Sequence, residues 1–137
     1  MNLLLEIITP EKVVYKDEVD EIVAPTINGE IAILPNHVNL LTQVNPGELS
    51  IKKESTNQSL AITGGFLEVA DNKISILANY AIKAQDIQIA AATEAKKRAE
   101  KIMQEKTTGN DFKVAQGELI KAILELRVAT KHKRRVI

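Results

Sequence analysis

The chain has 137 residues, with 18 basic and 18 acidic side chains, two Tyr, two Phe, and neither cysteine nor tryptophan. This length suits one compact domain, or a small domain with an appendage. The lack of cysteine excludes disulfides and thiolate metal sites. No stretch approaches the about 18 apolar residues of a membrane span. With so few aromatic rings, a nucleic-acid surface that works by base stacking is not expected.

The first part of the chain, residues 1–86, is predicted to form an all-β domain. Short β-branched runs, separated by turn residues, occur at Leu3–Ile8, Glu21–Ala24, Glu30–Leu34, Leu49–Lys52, Ser59–Thr63, Phe66–Ala70 and Lys73–Ala78. Asp71 and Asn72 both tolerate positive φ, which predicts a tight hairpin between the last two runs. The pair Gly64 and Gly65 permits a close backbone approach. Short strands at this spacing favour a sandwich or a barrel.

The second part, residues 87–137, is predicted to form two helices. The segment "IQIAAATEAKKRAEKIMQEK" contains neither Gly nor Pro, and Asp86 can cap its start. Gly109 suits the end of this helix, and Asp111 can cap the next. The short connection predicts an antiparallel hairpin. Its facing stripes are Ala91 or Ala92, Ala95, Ala99 and Ile102 or Met103 on the first helix, and Ala115, Leu119, Ala122, Leu126 and Ala129 on the second.

Two properties of the predicted hairpin leave alternatives open. Its alanine stripes bury little apolar area, so the hairpin is either permanently docked or able to repack elsewhere. The net charge is −6 up to Asp86, from 6 basic and 12 acidic residues, and +6 from Ile87 onward, from 12 basic and 6 acidic residues. The basic part is either a solvated surface or a surface that meets acidic partners.

No catalytic, metal or cofactor motif is present in the sequence. His37 and His132 lie far apart, and neither stands in an HExxH or other ligand spacing. No GxSxG occurs, and "ITGGFLEV" lacks the Lys and Ser/Thr of a phosphate loop. The acidic run at residues 11–21 lacks the spacing of a calcium loop. An enzyme is therefore disfavoured, and we expect no cofactor and no metal.

The segment around His37 is better interpreted as a docking loop. Pro35 shapes the backbone, and Asn36 can take the left-handed conformation that a tight turn often requires. Apolar contact would come from Val38, Leu40 and Leu41, and polar contact from Glu30 and His37. The alternative is a strand edge with His37 satisfied locally.

Taken together, these segments resemble one family. "GEIAILPNH" at 29–37, the Pro-Gly at 46–47, "GGFLEV" at 64–69 and "ILA" at 76–78 are similar to the epsilon subunit of F-type ATP synthase. "AIKAQDI", "TEAKKRAE" and "AQGELIKAILELRV" resemble the helical hairpin of its proteobacterial members. The resemblance implies a ten-stranded β-sandwich followed by a C-terminal antiparallel two-helix hairpin.

The resemblance implies a non-catalytic rotor subunit of a proton-translocating enzyme, which couples the gamma subunit to the membrane c-ring. In bacterial members the helical arm can lie compactly on the sandwich, or it can extend along gamma toward the alpha and beta subunits and inhibit ATP hydrolysis. The implied location is peripheral, at the cytoplasmic face of a bacterial inner membrane rather than a thylakoid. The implied gamma and c-ring contacts are Glu30, Pro35, His37, Leu40 and Leu41. The implied basic face of the arm is Lys96, Lys97, Arg98, Lys101 and Arg127, with Lys131, Lys133, Arg134 and Arg135 further on.

Some positions depart from the family pattern. The family often has Gly at the position of Asn36 and Ala-Pro at Val38 and Asn39. Some members bind ATP through an Ile-Asp-x-x-Arg-Ala motif, whose Asp and Arg are missing from the matching residues 87–92. Glu125 stands where Arg is common and would repel a triphosphate. We therefore expect no tight ATP binding; the alternative function is a nucleotide-binding sensor whose arm responds to ATP.

Overall fold

The computed structural model describes residues 3–105 and 108–136. The chain divides into two compact units, Met1–Lys83 and Ala84–Ile137. The first unit contains ten strands: β1 Leu3–Ile8, β2 Val13–Val19, β3 Glu21–Thr26, β4 Gly29–Ile33, β5 Leu40–Val44, β6 Gly47–Lys53, β7 Thr56–Ile62, β8 Gly65–Ala70, β9 Lys73–Ala78 and β10 Ala81–Lys83. The second contains a 3₁₀ turn, Ala84–Asp86, and two helices, α1 Ile89–Glu105 and α2 Asn110–Val136.

The ten strands form a sheet in the order β10-β7-β6-β3-β5-β8-β9-β1-β2, with β4 beside β3. Among the strands described, β1 and β9 run parallel, and the other paired strands are antiparallel. Asp20 lies between β2 and β3, and its amide donates to the Lys52 carbonyl at 2.8 Å, which extends the pairing of β3 with β6. β2 packs beside β6, and a side-chain ion pair joins the two strands. The Lys53 ammonium donates to Asp17 Oδ2 at 2.5 Å. The predicted ten-stranded β-sandwich is confirmed.

The ion pair between Lys53 and Asp17 changes the pKa of both residues. The hydrogen bond from Lys53 and a second one from the Glu18 amide, at 2.8 Å, hold the pKa of the Asp17 carboxyl below its ordinary value. The same hydrogen bond raises the pKa of Lys53. The neighbouring Tyr15 ring is buried, which raises the pKa of its phenol, and Lys83 Nζ lies 5.9 Å from the ring centroid. Charged and aromatic side chains of β2, β6 and β10 therefore interact at this end of the sandwich.

The core of the first unit follows the two-residue period of its strands. Leu3, Leu5 and Ile7 of β1 are fully buried, and the alternate residues of β1 are half-buried. Successive strand residues point to opposite faces, so one face of each strand can be removed from water. The largest fully buried side chains are Leu3, Leu5, Ile7, Ile22, Ile33, Leu49, Ile51, Leu60, Ile62, Leu67, Ile74 and Ile76.

The predicted hairpin between β8 and β9 is confirmed. Ala70 pairs with Lys73, and the two residues between them, Asp71 and Asn72, have φ of 51° and 59°. Positive φ at both central residues is what a type I′ turn requires, and Asp and Asn tolerate it. This hairpin fixes the register in which β8 pairs with β9.

The second unit is a helical hairpin in which α1 packs on α2. Its seam is alanine, as predicted, with Ala92, Ala99, Ala115, Ala122 and Ala129 buried. The two helices are joined by residues 106–109. A connection this short makes packed helices antiparallel.

The second helix, α2, runs for 27 residues, and the basic segment from Lys131 continues it through Val136. It contains neither Gly nor Pro, and its cations suit the negative end of the helix dipole. Ile120 and Ile123 are exposed. Within the described ranges, neither helix is long and apolar enough to cross a membrane.

Candidate docking surface

The docking loop, residues 34–39, connects β4 to β5. Its first half is a tight turn, in which the His37 amide donates to the Leu34 carbonyl at 3.2 Å. Pro35 occupies the second position, and Asn36, with φ of 68°, occupies the third. Proline at the second position and positive φ at the third are typical of a type II turn. Pro35, one of the predicted contact residues, is half-buried and fixes the shape of this turn.

The imidazole of His37 is oriented by the loop itself. Its Nδ1 lies 2.6 Å from the Val38 carbonyl oxygen. A carbonyl oxygen can only accept, so Nδ1 carries the proton of this hydrogen bond. Nε2 makes no hydrogen bond to any residue that the structure describes and is the ring nitrogen open to a partner. The described residues contain no group of three or more His, Asp or Glu that could hold a metal ion.

The apolar residues near the loop differ in exposure. Val38 is 76% exposed, Leu41 71% and Leu34 52%. Leu40, which the sequence placed in the contact set, is half-buried and packs against the core. Leu34 was missed, because an apolar residue at the end of a strand is usually taken as core. The loop and the first residues of β5 thus carry three exposed apolar side chains, the kind of side chain found at protein–protein contact sites.

The structure separates Glu30 from His37. Glu30 is exposed near the start of β4, beside the turn between β3 and β4, whereas His37 follows the end of β4. The intervening strand rises about 3.3 Å per residue, which places Glu30 about 13 Å from Leu34 along β4. The two predicted polar contacts therefore belong to opposite ends of one edge strand.

An apolar stripe also crosses the outer face of the sheet, and the sequence analysis missed it. Phe66 pairs with Leu77, Leu77 with Ile8, and Ile8 with Val13, so the four lie in one row across β8, β9, β1 and β2. Phe66 is 57% exposed, Leu77 58% and Val13 52%. The sequence did contain a signal for this stripe. β8 and β9 each contain consecutive apolar residues, which place apolar side chains on both faces of the strand.

Beside the apolar stripe lies a row of charged and polar groups. Glu6 is placed between Lys16 of β2 and Lys73 of β9, with Nζ to Oε distances of 3.7 Å in both ion pairs. Leu41 and Glu68 continue this row onto β5 and β8. Exposed ion pairs contribute little stability, about 0 to 1 kcal/mol. Their effect here is to flank an apolar surface with charge.

The predicted basic residues of the arm lie on the helical unit. Lys97, Arg98, Lys101 and Arg127 are exposed, and none of them forms an ion pair within the part of the chain described. Lys96 is different: it stands four residues after Ala92 and three before Ala99, on the packed face of α1, and is half-buried. The exposed cations of α1 among the predicted residues are Lys97, Arg98 and Lys101.

The fold is a β-sandwich with exposed side chains at both ends of an edge strand, followed by a helical hairpin rich in basic residues. The family model for the ATP synthase delta/epsilon chain beta-sandwich domain matches residues 2–84. The model for the long alpha-helix domain of the same chain matches residues 85–130. The chain belongs to the ATP synthase epsilon family, and the resemblance seen in the sequence is confirmed.

Relatives and a solved structure agree with this assignment. The ATP synthase epsilon chain of Dehalococcoides mccartyi strain BAV1 is 44% identical over 134 residues, covering 97% of this chain and 96% of the relative. That of Alkalilimnicola ehrlichii is 35% identical, covering 98% and 96%. A chain of the Euglena gracilis mitochondrial ATP synthase, solved as OSCP/F1/c-ring, has a TM-score of 0.72 at 24% identity, over 96% of this chain and 82% of that one. This last likeness concerns the fold alone.

Family membership decides the class of protein. An epsilon chain is a non-catalytic subunit of the F1 part of ATP synthase and is peripheral to the membrane. The lack of any catalytic motif in the sequence is consistent with that role.

Proposed function

We propose that this chain is the rotor subunit that fastens the gamma subunit to the c-ring of a proton-translocating ATP synthase, at the cytoplasmic face of a bacterial membrane. The observation that carries the proposal is the placement of Glu30 and the docking loop at opposite ends of β4. A coupler between two rotating parts needs two contact surfaces on one rigid element, and an edge strand of a ten-stranded sandwich is such an element. The turn that carries Glu30 faces the c-ring, and the docking loop faces gamma.

The apolar stripe extends the gamma contact. Phe66 and Leu77 are large, exposed and held in register by strand pairing. An exposed apolar patch with a charged border is typical of a protein–protein interface. Leu41 lies between the stripe and the docking loop on the same sheet and is 71% exposed. Stripe, Leu41 and loop form one continuous contact area.

The test of the coupling role uses an epsilon-depleted ATP synthase. Glu30→Ala combined with His37→Ala is expected to weaken binding by about 10- to 100-fold, since it removes two polar contacts to partners. The matched control is Lys52→Ala with Asn57→Ala, an exposed cross-strand pair on the β6–β7 hairpin. Binding is measured with fluorescently labelled chain, and thermal unfolding of each variant is recorded. Equal affinities for both double variants would remove these contacts from the proposal.

The helical arm is proposed to inhibit ATP hydrolysis by extending along gamma toward the alpha and beta subunits. At 1.5 Å per residue, the 17 residues of α1 and the 27 of α2 would reach about 65 Å end to end. The exposed cations Lys97, Arg98 and Lys101 would then meet acidic segments of the catalytic head, with an attraction that salt weakens. Charge reversal, Arg98→Glu with Lys101→Glu, should raise the hydrolysis rate of the reconstituted enzyme several-fold. Unchanged hydrolysis would leave the arm without this role.

The nucleotide-sensor alternative gains no support from the described residues. The turn and the first helical residues, 87–92, offer neither carboxylate nor guanidinium to a nucleotide. Glu125, half-buried in α2, carries the charge that a triphosphate avoids. Calorimetry of the full chain should therefore detect no micromolar affinity for ATP, and detection of it would favour the sensor.

A further inference from the structure

We propose that Asn72, in the turn between β8 and β9, is a positioning residue that holds the docking loop in its binding conformation through Asn36. The proposal rests on the proposed function, since it concerns the same loop. The two asparagines are 36 residues apart in sequence. The Asn36 amide N–H donates to Asn72 Oδ1 at 2.6 Å, and Asn72 Nδ2 donates to Asn36 Oδ1 at 3.1 Å. We call this pair the asparagine clamp.

The positions of Asn36 and Asn72 both require a residue that tolerates positive φ and has a side chain able to donate and to accept a hydrogen bond. Asn36 has φ of 68° and Asn72 has φ of 59°, a conformation that Asn tolerates and most residues with a Cβ avoid. A side-chain amide also offers a donor and an acceptor in one group, which a reciprocal pair of hydrogen bonds requires. Glycine would satisfy the backbone but form no clamp, and aspartate would supply an acceptor without the donor.

The clamp joins the loop to the rigid part of the sandwich. The Leu4 amide donates to the Asn72 carbonyl at 3.0 Å, so the turn is fastened to β1, whose inward side chains are fully buried. The other hydrogen bonds of the docking loop are local: His37 to the Leu34 carbonyl and to the Val38 carbonyl. Among the residues the structure describes, the clamp is thus the loop's only hydrogen-bonded tie to a distant part of the chain.

Holding the loop has a consequence for binding. The loop exposes Leu34 and Val38, apolar side chains that would otherwise sample many orientations relative to the sheet. A preorganised loop loses less conformational freedom when it binds, so more of the contact energy appears as affinity. Loss of the clamp should therefore weaken docking even though neither amide needs to touch the partner.

Substitution by glycine removes hydrogen bonds of the clamp without disturbing the two turns that contain the asparagines. Asn36→Gly leaves Pro-Gly at the centre of a type II turn, and Asn72→Gly leaves Asp-Gly at the centre of a type I′ turn, the preferred residues in both. Asp71→Gly is the matched control. Asp71 has φ of 51°, is exposed, and its side chain makes no hydrogen bond or ion pair within the described ranges. Each of the three substitutions by glycine raises the conformational entropy of the unfolded chain by a similar amount.

The two asparagine variants are not equivalent. Asn72→Gly removes both hydrogen bonds of the clamp, whereas Asn36→Gly keeps the backbone donor and removes only the bond to its side chain. The first measurement is hydrogen exchange of the His37 amide in the full-length isolated chain. We expect exchange to rise about tenfold in Asn72→Gly, less in Asn36→Gly, and not at all in Asp71→Gly.

The second measurement is affinity for the epsilon-depleted enzyme. Asn72→Gly should bind about tenfold more weakly, or about 1.4 kcal/mol, and Asn36→Gly about threefold. The double variant should match Asn72→Gly, because the second change has no bond left to remove. A residue with a purely structural role would lower thermal stability beyond the Asp71→Gly control without this non-additive loss of affinity.

The outcomes decide between the two proposals. Unchanged exchange in Asn72→Gly, or raised exchange with unchanged affinity, would overturn the clamp as a positioning device. Additive losses in the double variant would overturn the reciprocal pair. If the clamp variants and the Glu30→Ala, His37→Ala double variant all bind like the wild type, the docking role of the loop is rejected. If the clamp variants bind like the wild type and the double variant binds more weakly, the docking role is retained and only the clamp is rejected.

Discussion

Substitution of Gly65, at the start of β8, should destabilise the sandwich strongly. Gly65 has φ of +145°, and an added Cβ would overlap the Leu77 carbonyl oxygen and lie 2.9 Å from the Ala78 Cα. These are backbone atoms of the paired strand, so no side chain can rotate away. Strain at such a φ costs about 1 to 3 kcal/mol and overpacking a similar amount, so Gly65→Ala should cost about 3 kcal/mol or more.

Gly117 in α2 provides the matched comparison. A Cβ added there meets nothing within 4 Å, and alanine is better than glycine in a helix interior by about 1 kcal/mol. Both substitutions restrict the unfolded chain to the same extent, so their difference isolates the native state. The two should therefore change stability in opposite directions.

Urea unfolding of the full chain can follow the two units separately. Both tyrosines, Tyr15 and Tyr80, lie in the first unit, so tyrosine fluorescence reports the sandwich, and circular dichroism at 222 nm is dominated by the helices. With a slope of about 1.5 kcal/mol/M, Gly65→Ala should lower the fluorescence midpoint by about 2 M. Gly117→Ala should raise the helical midpoint slightly. A fluorescence midpoint for Gly65→Ala within a few tenths molar of the wild type would refute the argument from backbone overlap.

Three further predictions concern the Lys53–Asp17 ion pair, the core and the arm. Lys53 lowers the pKa of Asp17 below 3.8, so the pair's contribution to folding stability is present above that pH and is lost as pH falls through the folded-state pKa. Asp17→Asn should therefore flatten the acid side of a plot of melting temperature against pH. An unchanged slope would argue against the pair. Ile74→Ala, at a fully buried position, should cost about 2 to 5 kcal/mol, whereas Leu77→Ala on the same strand should cost under about 0.5 kcal/mol yet weaken gamma binding; the reverse ranking in denaturation and binding assays would reject the apolar stripe. Truncation after Asp86 should leave binding to the depleted enzyme intact and raise its hydrolysis rate, and loss of binding would place a rotor contact on the helices.

Local patterns in the sequence were sufficient for the elements of the fold. Alternation of apolar residues over Leu49–Lys52 marks the buried face of β6, and Asp71 and Asn72 mark the turn between β8 and β9. The alanine seam of the helical hairpin follows from spacings of three and four. These features depend on residues close together in sequence, where a period or a turn residue is direct physical evidence.

Features that depend on distant residues could not be predicted in this way. The parallel pairing of β1 with β9 joins residues about 70 positions apart, and no local period specifies which strand lies beside which. The hydrogen bonds between Asn36 and Asn72 have the same origin. The half-burial of Leu40 and Lys96 depends on packing partners that spacing alone leaves undetermined. The docking loop could be located from sequence, but not the groups that hold it.

The measurement that tests the coupling role most directly is cross-linking from single cysteines, which this cysteine-free chain permits without background. Glu30→Cys, His37→Cys and the control Asn57→Cys are each labelled with a short photoreactive maleimide, added to the epsilon-depleted enzyme and illuminated. We predict that Glu30→Cys labels the c-ring, that His37→Cys labels gamma, and that Asn57→Cys labels neither. Labelling of neither rotor subunit by Glu30→Cys and His37→Cys, or labelling of the alpha and beta subunits alone, would contradict the account.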